Sequence, residues 1–358
     1  MRNYVIGLLL LCAFNNCTQA QVIIKSNDPR IHYMGRTDKS GDAAVLSWPG
    51  SSISINFNGT GVKALLKDQH GENFYNVIID GKVTAKIHLD TAKKEYTLAQ
   101  GLSMGRHNLQ LFKRTEWTMG KTYFYQLQFD DKTKVLTAPP IKKRKIEFFG
   151  NSITCGYAVE DSTGKDRGTG PFENNYVSYA AITARHFNAE YYCTARSGIG
   201  VTISWFPQTM PEMYDLIDGN DATRKWDFTK YQPDLVVINL FQNDSWLVKQ
   251  PNHSEFKARF GTTAPTDAQI VKAYSNMVKS IRSKYPKAQI ICALGNMDAT
   301  QSGSVWPGYI EKAVANLGDK KISTCFFPYK GTPGHPNTKE QQAMANQLIN
   351  FIDQHVKW

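Results

Sequence analysis

The chain has 358 residues, 41% of them apolar and 20% charged, a balance that supplies buried cores and excludes disordered and collagen-like classes. Its net charge of +11 hints at anionic partners, yet the basic residues are spread thinly and cluster only at Lys142-Lys143-Arg144-Lys145, just before an apolar strand. With no aromatic-interleaved basic stripe and no zinc-finger spacing, nucleic acid is not an expected partner.

The first residues, Met1-Arg2-Asn3, precede an apolar run from Tyr4 to Phe14 and then Thr18-Gln19-Ala20 before Gln21. That order of charged, apolar and small-residue regions predicts a cleaved secretory leader over residues 1–20, hence a secreted or periplasmic protein. Asn15, Asn16 and Gln19 interrupt the run before the roughly 20 residues a membrane span needs, so no membrane association is expected once the leader is removed. Cys17 suggests a lipid anchor, but Phe14-Asn15-Asn16 is a poor approach to a lipoprotein cleavage site. Beyond the leader stand Cys155, Cys193, Cys292 and Cys325, each in or beside an apolar segment; one disulfide or none is compatible with export. No pair has CxxC spacing, so structural zinc is not expected.

Residues 21–140 are built of short alternating runs punctuated by turn residues. Ser52-Ile53-Ser54-Ile55-Asn56-Phe57 runs into Asn58-Gly59, Phe74 to Ile79 runs into the hairpin dipeptide Asp80-Gly81, and Tyr123 to Phe129 alternates again. The pattern predicts an all-β, antiparallel sandwich of jelly-roll type.

After Ala138-Pro139-Pro140 the period changes, and residues 141–358 alternate strands with helices, which predicts an α/β domain with a mostly parallel sheet. Candidate strands are Lys145 to Phe149, Glu190 to Thr194, Leu235 to Leu240, Gln289 to Leu294 and Ile322 to Phe326, apolar runs of the kind buried on both faces. One helix opens with a capping box at Thr266 and Gln269, presents Ile270, Val271, Tyr274, Met277, Val278 and Ile281 on one face, and ends at Pro286. A second is read from Thr338, with Gln341 three residues on and Met344, Leu348, Ile349 and Ile352 as its apolar stripe. No internal repeat or low-complexity tract is present.

Ile146 to Phe149 leads through Gly150-Asn151 to Ser152, which places a serine at the carboxyl end of a parallel strand, where ligands bind. The plainer role for a serine there is to cap the helix that follows. Gly150-Asn151-Ser152-Ile153-Thr154 resembles the first block of the SGNH hydrolases, whose usual Gly-Asp-Ser supplies the nucleophile; Asn151 replaces the acid and removes no catalytic atom. The later blocks follow in order. Ser197-Gly198-Ile199-Gly200 resembles the Ser-Gly block that offers backbone N–H to the oxyanion, through Gly198 or Gly200. Phe241-Gln242-Asn243-Asp244 resembles Gly-x-Asn-Asp, with Asn243 as the amide donor; Phe241 in place of glycine leaves the local backbone path open. Thr332-Pro333-Gly334-His335 resembles the Asp-x-x-His block with His335 as the base, but Thr332 cannot carry the acid's charge. The reading taken is a Ser152–His335 dyad with a carbonyl of the Pro333-Gly334 loop orienting the imidazole, in preference to a distant Asp.

A β-sandwich ahead of an SGNH domain is the arrangement of carbohydrate esterase family 2, and the likeness extends to Gly35-Arg36-Thr37-Asp38, Trp48-Pro49-Gly50-Ser51, Ile79-Asp80-Gly81 and Lys113-Arg114-Thr115-Glu116. The resemblance implies a flavodoxin-like three-layer catalytic domain and a serine esterase of the acetyl xylan esterase kind, deacetylating plant or microbial polysaccharide or oligosaccharide, often at the sugar O6. It implies catalytic Ser152 and His335, an oxyanion site of Ser152, Gly198 and Asn243, and no metal or organic cofactor. Trp205, Trp246 and Trp306 follow candidate strand ends and are candidates for stacking on sugar, or for lids between domains. The rival readings are a carbohydrate-binding protein that lost turnover and an SGNH lipase; oligomeric state is not legible.

Overall fold

The computed structural model describes residues 21–358; the leader reading falls on residues 1–20 and lies outside them. The N-terminal part is two facing antiparallel sheets. One runs Thr37–Asp38, Ala44–Leu46, Thr122–Phe129, Val62–Asp68, Lys94–Ala99, with Val22–Lys25 also paired to Thr122–Phe129. The other runs Lys134–Val135, Ser52–Asn58, Arg106–Lys113, Phe74–Ile79, Lys82–His88, with His32–Met34 on Ser52–Asn58. Alternation sends Ile55, Phe57, Leu66, Val77, Leu109, Leu111 and Phe124 into one shared core. Asp80 and Gly81 both take positive φ, 51° and 79°, as a tight two-residue hairpin requires.

The second part is a five-stranded, wholly parallel sheet in the order Ala189–Ala195, Arg144–Gly150, Leu235–Asn239, Gln289–Leu294, Ile322–Phe326. Relative to the chain this is the 2-1-3-4-5 order of doubly wound sheets. Helices Tyr179–His186 and Thr338–His355 cover one face, and Asp267–Lys284 and Trp306–Leu317 the other. Thr266 caps its helix as its spacing predicts, but the last helix is capped by Asn337 with Glu340, one residue before the expected pair. Gln341 is thereby freed for a buried role at the site. Cys155, Cys193, Cys292 and Cys325, the cysteines among the described residues, are free and buried. No helix of the described residues is long and apolar enough to cross a membrane.

Three segments of the sandwich reach into the α/β half. Arg36, 2% exposed, donates to Glu147 Oε1 at 2.8 Å and to the carbonyls of Tyr214 and Leu216. Trp48 Nε1 donates to Ile217 O at 3.0 Å. The third, Lys113 to Glu116, leads to the carboxyl edge of the parallel sheet.

Candidate active site

Strand Arg144–Gly150, flanked by its two sheet neighbours, turns at Gly150-Asn151 into the short helix Ser152–Cys155. A Cβ on Gly150 would lie 2.0 Å from Thr154 Oγ1, so no larger residue fits the turn. Asn151 caps the helix, its side chain accepting from the Ile153 N–H at 3.1 Å. The capping duty considered for Ser152 thus belongs to its neighbour, and Ser152 Oγ lies 2.8 Å from His335 Nε2.

Buried side chains set that distance. Gln341, in the helix that follows His335, donates to Ile153 O at 2.9 Å and accepts from the Tyr179 N–H at 2.8 Å. The last helix is thereby pinned to the serine turn. The ring of Tyr157 packs on the imidazole with centroids 4.4 Å apart.

The other ring nitrogen corrects the dyad reading. Lys330 Nζ already takes the loop carbonyls, bonding Thr332 O at 2.8 Å and Pro333 O at 3.0 Å. His335 Nδ1 faces the carboxylate of Asp166 at 2.9 and 3.0 Å, and the backbone N–H of His335 donates to the same group at 2.8 Å. Thr332, where the family's acid stands, bonds Lys330 and Glu340 and makes no hydrogen bond to the imidazole. Asp166 is held by a closed loop in which Asp161 accepts from the backbone and guanidinium of Arg167. Burial acts to raise the Asp166 carboxyl pKa, but the His335 ring and backbone N–H and the Lys330 charge outweigh it and hold the group below its ordinary value.

The loops after the two flanking strands carry the remaining residues. Gly198 has φ 81°, and no acceptor takes its N–H or that of Ser152 among the described residues. Gly200, the other glycine considered, donates to Ser204 Oγ at 2.9 Å. A Cβ there would stand 1.9 Å from Ile203 O, so close packing explains that glycine. Asn243 is 3% exposed, donates to Ile199 O at 2.8 Å and accepts from Trp205 Nε1 at 3.0 Å. Asp244 clamps the same loop by accepting from the N–H groups of Val201, Thr202 and Ile203. Phe241 takes φ 86°, the backbone a glycine would adopt, while its buried ring packs on Tyr274 and Trp306. The strain of a left-handed Phe, about 1 kcal/mol, is offset by burying the ring.

The tryptophans separate. Trp205 is 43% exposed, and Trp246 is half-buried with Nε1 donating to Asp298 Oδ2 at 2.7 Å. Trp306 is a correction: at 4% exposure it lies in the core against Phe241 and Tyr309, with no face for sugar. Sequence reasoning missed Asp166, Tyr157, Lys330 and Glu116.

Glu116 joins the sandwich to the site. Its Oε2 accepts from the Ser197 N–H at 2.6 Å, next to Gly198, and its backbone N–H donates to Glu173 Oε1 at 3.0 Å. Lys113 Nζ, its pKa lowered to about 8 by burial, donates to the carbonyls of Thr115 and Glu116. Burial, and after it the charge of Glu116, pushes the Glu173 carboxyl well above its ordinary value. Glu116, Cys155 and Glu173 bring potential ligand atoms within 4.8 Å of one another. Lys113 and the Cys155 thiol, pushed up by burial and 3.7 Å from Glu116 Oε2, complete this buried polar joint between the sandwich and the site.

Comparison with known proteins places both halves. The family model described as carbohydrate esterase 2 N-terminal matches residues 33–139, and that of the GDSL-like lipase/acylhydrolase family matches residues 148–354. A family two carbohydrate esterase from Clostridium thermocellum, solved in complex with cellohexaose, is 34% identical with TM-score 0.81, over 90% of this chain and 98% of that one. The cellulase/esterase CelE of Acetivibrio thermocellus is 33% identical over 93% of this chain, which spans 40% of its length. An acetylxylan esterase/glucomannan deacetylase of Cellvibrio japonicus is 27% identical over 98% of this chain and 97% of its own.

Proposed function

Since the chain belongs to carbohydrate esterase family 2, we propose that it is a serine esterase that removes O-acetyl groups from carbohydrate, with the sugar O6 among its positions. One observation carries the reading: a serine hydroxyl 2.8 Å from an imidazole whose far nitrogen is held by a carboxylate, at the carboxyl edge of a parallel sheet. Asp166 keeps the neutral imidazole in the tautomer with Nδ1 protonated; Ser152 Oγ attacks the ester carbonyl as His335 Nε2 takes its proton, and Asp166 stabilises the imidazolium formed. The tetrahedral oxyanion is met by the N–H groups of Ser152 and Gly198 and the amide of Asn243. Collapse returns the proton to the departing sugar hydroxyl. Water then hydrolyses the acyl-enzyme by the same route.

Access supports a small acyl group, because Ser152 keeps 6% of its surface exposed and the His335 side chain 15%. Of the three candidate tryptophans, the exposed Trp205 and half-buried Trp246 are left to meet a sugar ring. The leader expected from the sequence over residues 1–20 would fit export to where polysaccharide is found. Acetate release from acetylated xylan and glucomannan, compared with hydrolysis of a long-chain ester, tests the proposal. Binding without release, or preference for the long chain, overturns it; Ser152→Ala should abolish the activity.

A further inference from the structure

Trp205 reaches both loops that flank Ser152. Its backbone N–H donates to Gly198 O at 3.0 Å, and its indole Nε1–H donates to Asn243 Oδ1 at 3.0 Å. A Cβ added to Gly198 would also meet Trp205 Cδ1 at 3.3 Å, so the indole lies directly against that turn. One residue, through its backbone N–H and its indole, therefore braces the two residues assigned to the oxyanion from outside the central strand.

The brace fixes which way the amide points. Asn243 Nδ2 donates to Ile199 O at 2.8 Å, while its oxygen takes the indole proton. Turning the amide over would set oxygen against a carbonyl and NH₂ against an indole N–H, exchanging two attractions for two repulsions. Of the two amide hydrogens Ile199 engages one, and no second acceptor is present among the described residues. Without the indole proton the amide would keep only the Ile199 bond, and its buried oxygen would be left unsatisfied.

We infer that Trp205 is a positioning residue for hydrolysis: its indole N–H locks the Asn243 side chain as an oxyanion donor while its backbone N–H holds the Gly198 turn. The inference rests on the oxyanion role proposed for Asn243. It differs from a sugar platform in using the ring's N–H edge rather than its face, so it operates on substrates that carry no sugar.

Trp205→Phe keeps the aromatic face and removes the donor. Steady-state kinetics of Trp205→Phe, Asn243→Ala and the double variant on 4-nitrophenyl acetate and on an acetylated xylo-oligosaccharide separate the possibilities. Expected for Trp205→Phe is a kcat about tenfold lower on both substrates, with KM shifted less than about twofold. The double variant should be no slower than Asn243→Ala, because the lost bond acts through that amide. A loss confined to KM for the oligosaccharide, or a double variant showing the full product of the single losses, overturns the inference. Asn243→Ala at full rate removes the oxyanion reading itself and this one with it. Asn243→Ala crippled beside an unimpaired Trp205→Phe removes only the inference.

Discussion

The Asp166 carboxylate accepts from both the ring Nδ1 of His335, at 2.9 Å, and its backbone N–H, at 2.8 Å. One acid thus fixes the tautomer of the imidazole and the loop that carries it. In Asp166→Asn the amide presents an NH₂ to one of these donors and removes the charge that stabilises imidazolium, so kcat should fall by about 10²- to 10⁴-fold. Thr332→Ala, at the family's usual acid position, should stay within about twofold, since its hydroxyl serves Lys330 and Glu340. Kinetics on an activated acetyl ester decide it; an unimpaired Asp166→Asn restores the dyad.

The same contact has a pH signature. The folded-state pKa of Asp166 is depressed, so the stability this group contributes is complete above its ordinary value of 3.8 and is lost as pH falls through the lowered one. The gap in Tm between the wild type and Asp166→Asn should therefore hold from neutrality down to about pH 4 and close only below it. Melting curves across that range check the sign. A gap that closes between about pH 7 and 5 would show that the carboxylate is not held low.

Two contacts of the sandwich make opposite predictions. Glu116 accepts from the Ser197 N–H, so Glu116→Ala frees the turn at Gly198 and should lower kcat about tenfold. Arg36 touches no reacting group but neutralises Glu147 where both side chains are buried. Arg36→Met leaves that carboxylate unpaired and should destabilise the fold by about 3–5 kcal/mol, read by denaturant unfolding, with kcat unchanged where the variant is folded. Loss of kcat in the second variant, or none in the first, would contradict this division of labour.

How much of this was legible in the sequence follows from which interactions are local. The central parallel strands were readable because doubly buried strands have no polar face to disguise them, and Gln289–Leu294 falls where its apolar run does; the edge strand Ile322–Phe326, with Ser323 and Thr324 half-buried, also falls at its expected bounds. Ser152, Gly198, Asn243 and His335 stand in chain order in segments that follow four of the five parallel strands, which linear spacing captures. Asp166 leaves no such trace: it comes from a loop within 156–174, far from His335 in sequence, and only the length of that loop pointed to function. Trp306 was misjudged although a signal existed, since Trp306, Tyr309, Ile310 and Ala313 form an i, i+3, i+4, i+7 stripe that marks a core-facing helix. The cap at Asn337 was misread by one residue because Asn337 and Thr338 are both good caps, each with a polar partner three positions on.

The glycine before His335 offers the sharpest test of how closely Asp166 must approach. Gly334 has φ 69°, and a Cβ there would stand 3.0 Å from Asp166 Cγ and 3.2 Å from its Cβ. Gly331, in the same loop, has φ 71° with nothing within 4 Å of an added Cβ. Alanine at either position carries the same left-handed strain, about 1 kcal/mol, which should appear as a similar fall in stability by denaturant unfolding. Only at Gly334 does the new methyl also push the carboxylate away from the imidazole. Gly334→Ala should therefore lower kcat by about tenfold or more while Gly331→Ala leaves it alone, and in an Asp166→Asn background the Gly334 effect on kcat should vanish. Equal kcat losses at the two glycines would attribute the effect to backbone strain and leave the close approach of Asp166 without catalytic consequence.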